Sequence, residues 1–127
     1  MKLIEDRSDI EVFVNEFYER VKYDSVIQHF FTKERGFSFE QHIPIMCDFW
    51  ETILLDNPVY RNNAMEVHYD LNKKIPLQKE YFTNWLQLFN SAVDDLFEGK
   101  TAVLAKTRAK SIADVMLFKM ANANKGL

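Results

Sequence analysis

The 127-residue sequence is poor in residues that interrupt regular structure, with only three glycines and three prolines. That number is too small for the many turns of a β-sandwich or barrel, and it also argues against a low-complexity, disordered composition. An all-α fold is therefore favoured before any pattern is read. Because 47% of the residues are hydrophobic, we expect one domain that spans residues 1–127 around a single core.

Basic excess, cysteine pairs and long apolar runs are absent as well. The 16 Lys and Arg residues are outnumbered by 19 Asp and Glu residues, which disfavours nucleic acid and anionic membranes as partners. The one cysteine, Cys47, cannot form an internal disulfide, and Glu5, Asp6 and Asp9 lie where a secretory signal would be apolar. No run approaches the roughly 18 apolar residues of a membrane span. We therefore expect a cytoplasmic protein.

Apolar residues recur at three- and four-residue steps, the spacing of amphipathic helices, in several segments. Ser8 or Asp9 is predicted to cap the first helix, Asp24 or Ser25 a shorter one, and Ser38 a third, because Gln41 follows it at capping-box spacing. Gly99 is predicted to end the strongest helix, which follows Pro76. The predicted helices cover residues 8–23, 24–31, 38–54, 65–71, 77–98 and 101–120, with a frayed tail after residue 120.

Pro44 falls about six residues into the helix predicted to begin at Ser38. A proline ring inside a helix clashes with the preceding turn and removes a hydrogen bond. The helix is therefore expected to start late or to bend at Pro44, and either outcome affects where nearby His42 points.

Aromatic residues are abundant, at 14% of the chain with eleven phenylalanines. In a small helical domain such a load predicts either an aromatic core or a cavity for a large, flat ligand. Composition alone favours the first of these interpretations.

The residues that carry chemistry exclude several classes of site. Three histidines, His29, His42 and His68, and a single cysteine cannot build the usual four-ligand structural zinc site without carboxylates. The Glu-x-x-His spacing of di-iron bundles is absent, as are a Gly-x-Ser-x-Gly elbow and a glycine-rich phosphate loop. His29 is expected to have a structural or solvent-exposed role.

His42 and His68 lie on apolar, aromatic helix faces. Taken singly, each is more simply a core histidine with a satisfied hydrogen bond. Taken together, they suggest two imidazoles that face a flat group from opposite sides. Haem fits that description, because its iron needs an axial nitrogen and a walled apolar pocket.

Several residues also carry a family resemblance through their order and spacing. Over residues 10–112 the chain resembles the group III truncated haemoglobins, through Phe17-Tyr18-Glu19-Arg20-Val21, Phe31, His42, Phe49-Trp50, Tyr60, His68 and the segment Tyr81 to Phe89. The resemblance implies a two-over-two helical sandwich around haem b. It also implies His68 as the axial iron ligand, Phe31 against the porphyrin, and Tyr18, His42 and Trp85 on the opposite, distal side. We further expect Met46 and Phe49, on the same helix stripe as His42, to contact the haem.

The function implied is the binding of dioxygen and other diatomic ligands, among them nitric oxide and carbon monoxide. A hydroxyl or indole donor stabilises bound dioxygen, and Tyr18 is the first candidate and Trp85 the second. Nitric oxide dioxygenase or peroxidase-like chemistry is left open, and it would require a separate electron donor. The alternative hypothesis is a globin-like sensor or interaction module without haem, in which His42 and His68 are core residues.

Overall fold

The structure is a computed structural model that describes residues 1–61, 72 and 77–125. In these ranges the chain forms four α-helices, two single 3₁₀ turns and two very short strands. The helix predicted at residues 65–71, which contains His68, lies outside the described residues. The elements are β1 (Lys2–Leu3), α1 (Arg7–Val21), the 3₁₀ turns Gln28–Phe30 and Lys33–Arg35, α2 (Phe39–Leu55), α3 (Lys79–Leu96), β2 (Phe97–Glu98) and α4 (Lys100–Lys125).

The N-cap of helix α1 lies two or three residues before its predicted position. Asp6 is the N-cap, and it forms a capping box with Asp9, in which each carboxylate accepts the backbone N–H of the other residue. The Asp9 carboxylate also accepts the Glu5 N–H at 2.8 Å and pairs with Lys2 at 2.9 Å. The prediction of Ser8 or Asp9 as the cap was therefore wrong, because Asp9 acts as the third helical residue of the box.

A compact turn connects α1 to the aromatic segment that follows it. Asp24 caps this turn, as its position predicts, by accepting the N–H groups of Val26 and Ile27 at 3.2 and 3.0 Å. The Asn84 amide of α3 also donates to the Asp24 carboxylate at 3.3 Å. The turn that leads to Phe31 is thus fastened to a helix distant in sequence.

Helix α2 begins after its predicted cap, since the Ser38 hydroxyl accepts the Gln41 N–H at 3.3 Å. The helix includes Pro44 and continues to Leu55, so of the two expected outcomes the late start does not occur. Asp56 follows in the left-handed conformation, with φ of 56°, and turns the chain away from the helix axis.

The corner between α3 and α4 differs from the prediction. Helix α3 ends at Leu96, and Phe97 and Glu98 pair in parallel with Lys2 and Leu3, so Gly99 (φ 94°) does not stop α3 but precedes α4. Helix α4 also continues to Lys125, beyond its predicted end at residue 120.

The helices pack as two layers, with α1 against α2 and α3, and α3 against α4. Small residues on α4 allow this close approach, as their spacing predicts, and Ala102, Ala105, Ala109 and Ala113 are all buried. The core between the layers is rich in aromatic rings. Within the described ranges no helix combines the length and the apolarity needed to cross a membrane.

Candidate functional site

A cavity of about 290 Å³ lies between the helices, close to the lower size limit of small-molecule sites. Its walls are almost entirely apolar or aromatic, and they come from all four helices and from the segments before and after α2. The lining residues are Val14, Phe17, Tyr18, Phe30, Phe31, Phe37, His42, Ile45, Met46, Phe49, Trp50, Tyr60, Phe82, Trp85, Phe89, Ile112, Ala113 and Met116.

A stack of three rings forms the inner wall of this cavity. Phe89 of α3 lies between Trp50 of α2 and Trp85 of α3, at centroid distances of 4.8 and 5.7 Å and with interplanar angles of 24° and 15°. Phe13 and Phe17 of α1 meet Phe89 edge-on, at 5.7 and 5.8 Å. Such offset and edge contacts are the preferred geometries of aromatic pairs, and they hold the wall rigid.

Two polar side chains meet at the cavity wall. The Tyr18 hydroxyl and His42 Nε2 lie 2.8 Å apart, in a hydrogen bond that joins α1 to α2. The His42 ring also packs against Phe37 at 4.8 Å. His42 therefore points toward the cavity although Pro44 follows it two residues later in the helix.

Burial controls the protonation of Tyr18. Desolvation raises the pKa of the phenol well above its ordinary value, with a smaller contribution from nearby Cys47, so the hydroxyl keeps its proton at neutral pH. A phenol has one proton to donate and an oxygen that can accept. If His42 Nε2 accepts that proton, the hydroxyl presents only its oxygen to the cavity; if Nε2 carries a hydrogen and donates, the phenol proton is free for a ligand.

Trp85 supplies a second donor at the same cavity. Its indole ring is held by Phe89 and by Phe17, which it meets edge-on at 5.9 Å. Within the part of the chain that the structure describes, the indole N–H donates no hydrogen bond. Trp85 is therefore the second candidate donor among the residues that line the cavity.

The structure brings most of the predicted site residues together. Tyr18, Phe31, His42, Met46, Phe49 and Trp85 all line the one cavity. His68, the predicted axial ligand, lies outside the described residues, so its position stays a prediction. His29 does not line the cavity, and its ring packs on Phe30 at 4.1 Å.

Other cavity residues were not singled out from the sequence. Phe37 contacts both Phe31 and His42, and it follows a glycine in a polar segment that gives no periodic signal. Ile112, Ala113 and Met116 of α4 also line the cavity. Their spacing marks one helix face and identifies them as buried, but it does not distinguish a cavity wall from ordinary core.

Three basic residues, Arg61, Lys73 and Lys74, follow Tyr60 before Pro76, and the structure describes only the first of them. Arg61 is exposed, and its guanidinium donates to the backbone oxygens of Pro58 and Tyr60 at 2.8 and 3.3 Å. Lys73 and Lys74 lie outside the described residues.

Comparison with known proteins identifies the fold. The structure superposes on the crystal structure of a group III truncated haemoglobin from Campylobacter jejuni with a TM-score of 0.83, covering 94% of this chain and 95% of that one at 26% identity. The chain has the truncated globin fold. A group 3 truncated haemoglobin from Campylobacter jejuni is also 29% identical over 109 residues, which cover 81% of this chain and 84% of the relative. No family model matches the chain.

These findings confirm the resemblance to the group III truncated haemoglobins and the predicted all-α truncated globin fold. The truncated globin fold also accounts for the position of the cavity, because it places the aromatic residues of α1, α2 and α3 around one shared space.

Proposed function

We propose that the cavity binds haem b and that the protein binds dioxygen and other diatomic ligands. The observation that carries this proposal is the Tyr18–His42 hydrogen bond at the wall of an aromatic cavity in a truncated globin fold. The names of its relatives support haem as the ligand, since both are haemoglobins. The small number of polar groups among the cavity walls fits a flat, largely apolar macrocycle.

The residues that line the cavity suit this ligand. Phe31, Phe49 and Met46 offer apolar surface for contact with the macrocycle, and they exclude water from its neighbourhood. His68 is proposed to hold the iron through a neutral imidazole, which a hydrogen bond to its second nitrogen would orient. Trp50 and Phe89 form the rigid base of the site.

Haem would supply a ferrous iron that binds dioxygen, nitric oxide or carbon monoxide. Tyr18 and Trp85 would provide hydrogen-bond donors to a dioxygen ligand, which carries partial negative charge. His42 determines whether the Tyr18 proton points to the imidazole or to the cavity. Retention of dioxygen by two donors suits a reaction with nitric oxide, or peroxide chemistry, better than rapid release, and both reactions would need an external electron donor.

Absorption spectra of the purified protein test the proposal. The ferric, ferrous and carbon monoxide-bound forms should each have a Soret band, and the pyridine adduct of the extracted cofactor should be that of haem b. His68→Ala should lose haem or hold it weakly, whereas His29→Ala, which removes a histidine outside the cavity lining, should keep it. A protein that develops no Soret band after haem is supplied would refute the proposal and favour the haem-free module.

A further inference from the structure

Thr52 lies in the last turn of α2 and makes three hydrogen bonds through a single hydroxyl. The hydroxyl donates to the Asp48 carbonyl at 2.9 Å, and its oxygen accepts the backbone N–H groups of Val59 and Tyr60 at 3.1 and 3.0 Å. One donated and two accepted bonds use the full capacity of a hydroxyl. Thr52 therefore holds the segment after α2 at two successive amides.

The preceding residue holds the same segment at a second point. The Glu51 carboxylate, which is buried, accepts from Arg7 of α1 at 2.9 Å and from the side-chain amide of Asn57. Between these anchors Asp56 adopts its left-handed conformation, which a non-glycine residue takes at a cost in energy. The surrounding contacts therefore define the path of the chain from residue 56 to residue 60.

This path places Tyr60 in the cavity wall. The Tyr60 ring meets Phe49 edge-on at a centroid distance of 5.2 Å, and both rings line the cavity. The chain then continues for eight residues to His68, the proposed axial ligand. A displacement of Tyr60 would thus affect both the cavity wall and the start of the segment that carries His68.

We propose that Thr52 is a positioning residue of the haem cavity, which acts by fixing the backbone at Val59 and Tyr60. This inference rests on the proposed function for its effect on haem. Its effect on the backbone does not depend on haem, because the three hydrogen bonds are made within the protein.

Thr52→Val removes the hydroxyl and keeps the shape of the side chain, while Thr52→Ser restores a hydroxyl. Thr83→Val is a matched control, because the Thr83 hydroxyl donates to the Lys79 carbonyl at 3.0 Å in the same way but accepts no loop amide. Amide hydrogen exchange, resolved by residue, measures the backbone, and transfer of haem to an excess of an apoglobin acceptor measures haem release.

In Thr52→Val the Val59 and Tyr60 amides should exchange on the order of tenfold faster or more, and haem should dissociate on the order of tenfold faster. Amides of α1 should be unaffected, Thr52→Ser should restore both rates toward wild type, and Thr83→Val should change neither.

Three results would overturn the inference: unprotected Val59 and Tyr60 amides in the wild type, unchanged exchange in Thr52→Val, or faster exchange with unchanged haem dissociation. The first needs no variant and remains decisive if Thr52→Val does not fold. A wild type that binds no haem would instead refute the proposed function, and the exchange rates would still test the role of Thr52 in holding Tyr60.

Discussion

Replacing Tyr18 with phenylalanine removes one hydroxyl and leaves a ring of the same shape. The ring can keep its edge contacts with Phe17 and Phe31, at 4.7 and 6.0 Å, so the cavity should retain its form. What is lost is the group that lies 2.8 Å from His42 Nε2 and that is proposed to donate to bound dioxygen. The variant therefore removes the hydroxyl's bond to His42 together with its proposed bond to dioxygen, and it leaves the ring packing in place.

The expected effect follows from the environment of the hydroxyl. Tyr18 is only 5% exposed, so water cannot easily replace it as a donor. A hydrogen bond to a partly charged acceptor in such a site contributes about 1 to 3 kcal/mol. At about 1.4 kcal/mol for each tenfold change, dioxygen should dissociate on the order of ten- to a hundredfold faster from Tyr18→Phe.

Stopped-flow replacement of dioxygen by carbon monoxide, followed at the Soret band, measures this rate. Tyr81→Phe is the matched control, because Tyr81 packs on Phe30 at 4.9 Å but does not line the cavity. An unchanged rate in Tyr18→Phe, or an equal acceleration in Tyr81→Phe, would refute the assignment of Tyr18 as the donor.

A double-mutant cycle with His42→Leu locates the Tyr18 proton. If the hydroxyl donates to His42 in the wild type, Tyr18→Phe should have a larger effect in the His42→Leu background, because the proton is then free for the ligand. If His42 Nε2 carries the hydrogen, the effect should be similar in both backgrounds. The same rate measurement distinguishes these two states.

Three further predictions concern the fold. Gly99→Ala should lower the free energy of unfolding by about 1 to 2 kcal/mol, because φ is 94°. A Cβ there would lie 2.5 Å from Leu3 Cδ2, but this is the end of an exposed side chain that can turn away, so Gly36→Ala, at φ 77°, should cost a similar amount. Unchanged unfolding free energies in denaturant titrations would contradict the backbone strain. The Cys47 thiol is 1% exposed, and desolvation raises its pKa to about 11. At pH 8 this thiol should therefore react with a disulfide reagent only as fast as the protein unfolds. Rapid labelling of the native protein would contradict this prediction. Burial raises the pKa of Tyr18, so the contribution of this phenol to stability should be complete below about pH 10, the ordinary pKa of tyrosine, and should decrease at higher pH. The free energy of unfolding should therefore decrease more steeply above pH 10 in the wild type than in Tyr18→Phe. Parallel slopes would argue against the raised pKa.

Local signals predicted much of the fold because they act within one turn of chain. The spacing of Ser38 and Gln41 identified the start of α2, and Asp24 was identified as a cap. The first cap was misassigned because Asp6 and Asp9 form a box with an aspartate where glutamate is usual. The interior position of Pro44 did not prevent a helix, and this helix packs against α1 and α4.

Long-range contacts explain what the sequence could not predict. Phe97 and Glu98 leave the helix because they pair with Lys2 and Leu3, residues from the other end of the chain. Helix α4 continues past residue 120 because fully buried Met120 anchors its end in the core, where the following Ala-Asn repeat alone suggests fraying. No local sequence pattern indicates either the strand pairing of Phe97 and Glu98 or the extension of α4 past residue 120.

The candidate site was predictable where type and order of residues carried the information. The family resemblance predicted Tyr18, His42 and Trp85 beside one ligand, and all three line the same cavity. That they share one side of a haem stays a prediction. Phe37 and the α4 residues were missed because an apolar side chain looks the same in a wall and in a solid core. Only the packing of helices distant in sequence decides which of them border empty space.

The two tryptophans of the chain, Trp50 and Trp85, both border the cavity, and a single phenylalanine separates them. All indole fluorescence of the protein thus originates within a few ångströms of whatever occupies that space. An occupant that absorbs in the near ultraviolet would quench this emission by energy transfer. The fluorescence intensity of the unlabelled protein therefore reports the fraction of molecules whose cavity is occupied.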